Sequence, residues 1–222
     1  MKYIQRYLNF LLRMSIIKTL IFNFRYFGLR GIVVLPVLVG KEVEFHTLKG
    51  EFICEEFKTG IVQIGLNDMG NHPKRTTCAS IQNNGTIRCK GKVRLGVGTR
   101  ISNGGTLVFG NNFSITADSS IICGKSITFE DNVLVSWGCQ IMDTDLHKIF
   151  NIDTNQIINS PKEIYISEHC WICSGCKILK GVRLASNIIV AADSTITKSI
   201  LTNNVIVGFN NRILKEKVRW EV

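Results

Sequence analysis

The sequence predicts an all-β chain wound as a three-sided parallel β-helix and preceded by a short helical segment. Apolar residues recur every twenty residues in the middle of the chain and every six residues toward its carboxyl end. The 222 residues are 45% hydrophobic and 20% charged, which excludes a disordered chain and an acidic tail. We expect a helical segment over residues 1–30 and a β-helix over 31–222, with a protruding loop at 142–163 and a carboxyl-terminal tail.

The amino-terminal segment is predicted to be an amphipathic helix, because its basic and apolar residues separate at helical spacing. The basic side carries Lys2, Arg6 and Arg13, and no acidic residue precedes Glu42. The apolar side is formed by Ile4, Tyr7, Leu8 and Leu11. This side either packs on the protein or a neighbouring subunit, the favoured interpretation, or makes a peripheral contact with an anionic membrane.

We expect a cytoplasmic protein. The charge-free stretch 31–40 is too short to span a bilayer, and no small-residue cleavage pattern follows the apolar residues of the amino terminus.

Four sets of residues at twenty-residue spacing indicate a solenoid, in which like residues of successive coils stack on one another. The sets are Ile81, Ile101, Ile121 and Ile141; Leu95, Ile115 and Val135; Cys89, Phe109 and Phe129; and the small residues Ala79, Thr99, Ser119 and Cys139.

Toward the carboxyl end the spacing becomes a strict six, a period that fits neither an α-helix nor a long half-buried strand. It fits a coil of three short strands, each with one inward aliphatic side chain. The positions are Ile166, Ile172, Ile178, Leu184, Val190 and Ile196.

Three motifs carry a resemblance to a known family: Asp131–Ser136 (DNVLVS), Asp143–His147 (DTDLH) and Cys170–Val182 (CWICSGCKILKGV). From about Leu35 to Lys215 the chain resembles the hexapeptide-repeat acyltransferases, and within them the sugar O-acetyltransferases of capsule and lipopolysaccharide synthesis. The resemblance implies a left-handed parallel β-helix, a homotrimer with sites between subunits, and transfer of an acetyl group from acetyl-CoA to a sugar hydroxyl.

The six-residue rhythm stops between Ile141 and Ile166, where a loop leaves the coil, and loops on rigid scaffolds often carry function. His147 lies in this loop. An imidazole can take a hydroxyl proton at neutral pH, and the resemblance implies that role for His147, with direct transfer and no acyl-enzyme. Otherwise His147 is an ordinary exposed loop residue.

Three further residues are candidates for the acceptor site. Asp143 and Asp145 either orient the imidazole or bind sugar hydroxyls, or else they cap the loop through local backbone hydrogen bonds. Trp171 resembles a tryptophan near the acceptor in this family, and is alternatively an aromatic residue at a subunit contact.

The acyl donor is expected near the carboxyl end, where small residues are followed by cations. The family resemblance places six residues along the CoA groove: Ser174, Ala192, Thr197, Lys198, Arg212 and Lys215. A solvated basic tail is the alternative. The chain has Gly-Phe-Asn-Asn-Arg at 208–212 where relatives often have Gly-Asn-Pro-Ala-Lys, and this departure leaves the path of the last loop open.

Cys170, Cys173 and Cys176 form a C-x2-C-x2-C pattern that taken alone suggests a metal. The repeat places these thiols at successive small-residue positions, which point in different directions, so we predict packing and no metal site.

The function predicted from the sequence is therefore sugar O-acetylation in surface polysaccharide biosynthesis. The alternatives are N-acetylation of an amino sugar, a metalloenzyme on the same coil and a non-catalytic β-helix scaffold. The net charge of +10 suggests anionic partners. No nucleic-acid partner is expected, because basic and aromatic residues are not interleaved in a recognition motif.

Overall fold

The structure is a computed structural model that describes residues 12–66 and 78–221. Within these ranges the strands form three sheets, which are the three faces of a prism around a common apolar core. All pairings are parallel except the last one on the first face. The described residues thus show the three-sided parallel coil that the sequence predicts.

The strands follow the chain from face to face. Face one contains β1 (Val37–Val39), β4 (Val62–Ile64), β7 (Val93–Val97), β10 (Phe113–Ala117), β13 (Leu134–Val135), β16 (Trp171–Ile172), β19 (Ile189–Val190), β21 (Val205–Val207) and β22 (Ile213–Glu216). Face two contains β2 (Val43–Leu48), β5 (Ala79–Asn83), β8 (Arg100–Asn103), β11 (Ser120–Cys123), β14 (Gln140–Met142), β17 (Lys177–Leu179) and β20 (Thr195–Ile196). Face three contains β3 (Glu51–Cys54), β6 (Thr86–Cys89), β9 (Thr106–Phe109), β12 (Ser126–Phe129), β15 (Ile164–Ile166) and β18 (Arg183–Leu184).

The strand register confirms the stacked columns. On face two Ile121 pairs with Ile101 before it and Ile141 after it. Phe109 pairs in the same way with Phe129 on face three, and their rings stack at a centroid distance of 5.8 Å. Like side chains therefore lie directly above one another in the core.

The residues at six-residue spacing occupy the three faces in turn. Ile166, Ile172 and Ile178 pair with Leu184, Val190 and Ile196 of the next coil. All of these side chains are buried. The coil thus shortens from twenty to eighteen residues near the carboxyl end without leaving register.

One α-helix, α1 (Ile16–Val34), precedes the coil in the described part of the chain. It begins at Ser15, whose hydroxyl accepts a hydrogen bond from the Lys18 backbone N–H at 3.3 Å. It ends at Leu35, which has a positive φ of 53° and is followed by proline. Gly28 breaks the helical geometry at φ 60°. In the described residues no helix has the length and hydrophobicity needed to cross a membrane.

Helix α1 covers the open end of the prism. The Asn23 amide donates to the Val37 carbonyl at 2.6 Å and accepts from the Val37 N–H at 3.1 Å, while the Thr19 hydroxyl accepts from the Val39 N–H at 3.1 Å. These bonds satisfy the free edge of β1, and Phe22 is buried in the core below.

The predicted amino-terminal segment is only partly described, since residues 1–11 lie outside the described ranges. The boundary predicted at residue 30 falls inside α1.

We predict that Ile121→Asp prevents folding to a soluble protein, because the carboxylate would be buried in the core with no partner. The Ile121→Val control should cost only about 0.5–1.5 kcal/mol. Thermal unfolding followed by circular dichroism measures both, and a wild-type melting transition for Ile121→Asp would contradict the stacked core.

Candidate active site

The chain leaves the coil between Met142, the last residue of β14, and Ile164, the first of β15. His147 is exposed near the start of this loop. It follows Leu146, which has a positive φ of 64°, and its backbone N–H donates to the Asp145 carbonyl at 2.7 Å. A tight turn therefore presents the imidazole outside the corner between faces two and three.

The loop is anchored by Asn159 and Lys180. The Asn159 amide donates to the Asp145 carboxylate at 2.9 Å and to the His147 carbonyl at 2.7 Å. It also accepts from the Ile149 N–H at 2.7 Å. Lys180 on the next coil forms an ion pair with Asp145. These contacts hold the two ends of the turn that carries His147 against the coil.

The hydrogen bond from Lys180, and then the one from Asn159, lower the pKa of the Asp145 carboxyl. Asp145 is therefore ionised at neutral pH, as the ion pair requires.

Asp143 belongs to the coil and not to the exposed loop. It is fully buried, and its carboxylate accepts from the backbone N–H groups of Gly124, Lys125 and Ser126 at 2.6–2.8 Å. This geometry leaves no oxygen facing solvent. It favours the capping role that the sequence also allowed, and not contact with a sugar or the imidazole.

Asp143 is in fact the last member of a polar column at the corner between faces two and three. The column consists of Asn83, Asn103, Cys123 and Asp143, at twenty-residue spacing. The Asn103 amide donates to the Asn83 side-chain oxygen at 2.8 Å and accepts from the Gly105 N–H at 3.2 Å. Asp143 likewise accepts from backbone N–H groups, those of the preceding coil. The twenty-residue spacing, which the sequence analysis did not use, places these four residues at one corner, and the structure adds that Asp143 caps the preceding coil.

A cavity of about 310 Å³ lies beside the loop on face two. It is lined by Met142, Asp145, Leu179, Lys180 and Thr197. The cavity brings one acceptor candidate, Asp145, together with one donor candidate, Thr197. Asp145 precedes His147 by two residues in the chain. This is the place in the described chain where the predicted site residues come closest to forming one site.

Trp171 lies elsewhere, on the outer side of face one. Its indole N–H donates to the Ser136 hydroxyl at 3.0 Å, and its ring lies 5.8 Å from that of Trp220. Trp220 stacks on His169 at 4.6 Å and donates to the His169 carbonyl at 2.9 Å. The carboxyl-terminal segment thus returns to face one and holds Trp171 in place.

The donor candidates fall into three groups. Ser174 and Ala192 lie at the corner between faces one and two, where Ser174 accepts a backbone bond from Asp193 at 2.9 Å. Thr197 and Lys198 follow the last strand of face two, and both of their backbone N–H groups donate to the Asn211 side chain, at 2.8 and 3.0 Å.

Asn211 ends a short 3-10 helix (Phe209–Asn211) that leads into β22. Arg212 and Lys215 are exposed on this last segment, which pairs antiparallel with β21. Asn211, in the stretch that departs from the family pattern, therefore fixes the last loop to the strand end that carries Thr197 and Lys198.

The three closely spaced cysteines do not converge. The Cys170 thiol bonds to the Ala185 carbonyl at 3.1 Å and the Cys176 thiol to the Ala191 carbonyl at 3.1 Å. Burial raises the pKa of Cys170 to about 12 and that of Cys173 to about 11, so these groups are thiols at neutral pH. This geometry favours the packing interpretation. Among residues 12–66 and 78–221, no three potential ligands are grouped as a metal would require.

The prism separates His147 from Trp171 within one chain. The corner between faces two and three, where His147 lies, is opposite face one, where Trp171 lies. Trp171 therefore does not line the cavity beside the loop.

Asn159 and Lys180 were missed by the sequence analysis. Asn159 lies far along an irregular loop, where no periodic pattern reveals a partner. Lys180 lies one coil away from the start of the loop because Leu179 pairs with Met142, and this pairing across the irregular loop is seen only in the structure.

Sequence relatives of the chain are O-acetyltransferases. It is 30% identical over 105 residues to a galactoside O-acetyltransferase of Lactococcus lactis, which covers 47% of each chain. It is 24% identical over 155 residues to a putative lipopolysaccharide biosynthesis O-acetyl transferase of Escherichia coli, covering 64% of this chain and 79% of that one. A polysialic acid O-acetyltransferase of Escherichia coli is 24% identical over 118 residues, covering 53% and 38%. The chain therefore spans about half or less of the length of the first and third of these relatives. No protein-family model matches it.

The fold is that of a solved sugar acetyltransferase. The polysialic acid-specific acetyltransferase NeuO superposes with a TM-score of 0.64 at 19% identity, over 81% of this chain and 72% of that chain. An N-acyltransferase of Bacillus cereus, AntD, superposes with a TM-score of 0.51 at 14% identity, over 82% and 81%. The resemblance to hexapeptide-repeat acyltransferases is confirmed, and so is the predicted left-handed parallel β-helix with its amino-terminal helix.

We predict that Asp143→Ala lowers the free energy of unfolding by about 1–3 kcal/mol, because three backbone N–H groups lose their acceptor. Asp145→Ala is the matched control, since it removes an exposed carboxylate two residues further along, in the loop, and should change the unfolding midpoint little. Urea denaturation measures both variants. Equal midpoints for Asp143→Ala and the wild type would contradict the capping role.

We predict that the contact of Asp145 with Lys180 and Asn159, which anchors the loop, weakens only at acidic pH. Because the folded-state pKa of Asp145 is depressed, its stabilising contact is present above the ordinary carboxyl pKa and is lost as the pH falls through the lowered value. Hydrogen exchange of the loop amides, corrected for intrinsic rates, should stay constant from about pH 7 to about pH 4 and rise below. Lys180→Met should raise exchange at neutral pH. Loss of protection already between about pH 7 and pH 5 would count against this anchor.

Proposed function

We propose that the protein transfers an acetyl group from acetyl-CoA to a hydroxyl of a sugar in surface polysaccharide biosynthesis. The observation that carries the proposal is the anchored loop, which presents His147 next to a cavity shared by Asp145 and Thr197. The similarity to galactoside, polysialic acid and lipopolysaccharide O-acetyltransferases supports a sugar acceptor.

His147 is the proposed general base. The His147 side chain is exposed, and such an imidazole can accept the proton of a sugar hydroxyl as the oxygen attacks the thioester carbonyl carbon. The carbon–sulfur bond then breaks, and the proton passes to the departing sulfur, so that the products are an acetyl ester and free CoA. Acetyl-CoA supplies the activated acyl group, and no acyl-enzyme is formed.

Asp145 is the proposed contact to the acceptor on the His147 side. Its carboxylate is 40% exposed despite the ion pair with Lys180 and borders the cavity, where sugar hydroxyls can donate to it. It also positions the turn that carries His147. Trp171 is proposed to form an apolar wall of the acceptor site, with its ring fixed by Ser136 and Trp220.

The proposed CoA groove runs along face two and its last coil. Ser174 and Ala192 leave a shallow corner for the narrow arm of the cofactor, and Thr197 reaches the cavity beside the loop. Lys198, Arg212 and Lys215 are exposed cations that fit its phosphates.

The active unit is proposed to be a homotrimer with the sites between subunits. The prism places His147 and Trp171 on opposite sides of one chain, so a complete site needs two copies. The loop also exposes large apolar side chains that a neighbouring subunit would bury, among them Ile152 at 97%, Leu146 at 65% and Ile158 at 62% exposure.

A cytoplasmic location is part of the proposal. All eight cysteines are free, which suits a reducing compartment.

N-acetylation of an amino sugar is a second candidate. The fold match to a protein named as an N-acyltransferase supports it.

The test is release of CoA from acetyl-CoA, followed with a thiol reagent, on a panel of hexoses, sialosides and amino sugars. Mass spectrometry of the product then distinguishes an ester from an amide. Acetylation of a sugar hydroxyl supports the proposal. Acetylation confined to nitrogen favours the second candidate, and absence of turnover with the whole panel favours a scaffold.

We predict that His147→Ala lowers kcat by about 100- to 10,000-fold with unchanged folding, the range expected for a lost general base. His46→Ala is the matched control, because it removes another exposed histidine from β2, several coils away. Wild-type kcat in His147→Ala would exclude the proposed base.

A further inference from the structure

The side of α1 that faces away from the prism is strongly apolar. Six large apolar residues of the helix have more than half of their surface exposed: Ile16, Ile17, Ile21, Phe24, Leu29 and Val33. We call them the α1 outer face. Ile17, Ile21 and Phe24 follow one another at helical spacing before the break at Gly28, and Leu29 and Val33 do so after it.

The opposite side of α1 is already covered. Thr19, Phe22 and Asn23 are buried against β1 and the end of the core. An extended exposed apolar surface marks an interaction site. The inner side of α1 packs on the prism, and we infer that the α1 outer face binds a partner that lies outside the described chain.

Charge identifies the partner. Residues 1–41 contain seven Lys and Arg and no Asp or Glu, so this segment contributes +7 of the formal net charge of +10. On α1 itself, Arg25 donates to the Lys49 carbonyl and stacks over Tyr26, and Arg30 stacks over Phe57. These partners are neutral and leave the positive charge of both guanidinium groups uncompensated.

A second copy of the same face fits this charge badly. A symmetric contact would bring two sets of cations together, and such like-charge pairing is unfavourable. An anionic lipid surface fits the α1 outer face better. Its acyl-chain region can bury the apolar side chains, and its negatively charged headgroups can pair with the neighbouring cations.

The position of the helix suits a membrane surface. Because α1 covers the end of the coil, its outer face points away from the core, with His147 several coils away along the prism. A helix of 19 residues is about 28 Å long, and it can lie in the plane of the interface without crossing it.

We propose that the α1 outer face docks on the surface of a lipid bilayer that contains anionic headgroups. Membrane docking of α1 is independent of the chemistry at His147, so CoA release on a soluble sugar and lipid binding are separate measurements.

The experiment is flotation of the full-length protein with vesicles of phosphatidylcholine alone and of an equimolar mixture with phosphatidylglycerol. We expect flotation with the mixture, weaker flotation with phosphatidylcholine, and loss of binding as salt is raised. Ile17→Ser/Phe24→Ser should bind the mixture at least about tenfold more weakly. Arg25→Gln/Arg30→Gln should weaken binding to the vesicles that contain phosphatidylglycerol and leave binding to pure phosphatidylcholine vesicles unchanged.

The matched control is Leu201→Ser/Leu214→Ser, which removes two side chains that are 75% and 56% exposed at the other end of the coil. It should bind as the wild type does. Circular dichroism checks that each variant is folded.

Three results would overturn the proposal: no flotation of the wild type with either vesicle, unchanged binding of Ile17→Ser/Phe24→Ser, or a lower molar mass of that variant by light scattering without lipid. The last would assign the face to a second copy of the chain.

Discussion

Every element of this protein depends on the register of one coil on the next. Parallel strands pair so that Ile121 lies between Ile101 and Ile141, and Phe129 lies on Phe109. A slip of one residue would turn the inward side chains out to solvent. The core tolerates a change of coil length from twenty to eighteen residues only because the difference is absorbed at the corners, while the strands stay paired.

The same register makes a rigid support for an irregular loop. The polar column that begins at Asn83 ends in Asp143, whose carboxylate caps the preceding turn just before the chain departs. Beyond it, Lys180 and Asn159 hold the turn that carries His147. The position of His147 thus depends on contacts within the loop and with the coil, and the general base that we propose for this residue needs such a defined position.

The two ends of the prism are closed in different ways. At the amino end Asn23 and Thr19 of α1 satisfy the free edge of β1. At the carboxyl end β22 turns back antiparallel, and Trp220 returns to stack on His169 beside Trp171. A solenoid needs such caps because its terminal strands would otherwise offer unpaired backbone groups to other chains. Each cap also carries a second role in our proposals, at the membrane and at the acceptor site.

The sequence by itself determined the coil, since twenty- and six-residue spacings of Ile, Leu, Val and Phe leave no other regular structure that buries them. It also marked the loop and His147, because the spacing stops there. Only the tertiary structure decided that Asp143 is a buried cap, that Lys180 and Asn159 anchor the turn, and that Trp171 lies on the face opposite His147. Those contacts join residues 12–37 positions apart, through side chains whose directions depend on the winding of the coil and not on any local pattern.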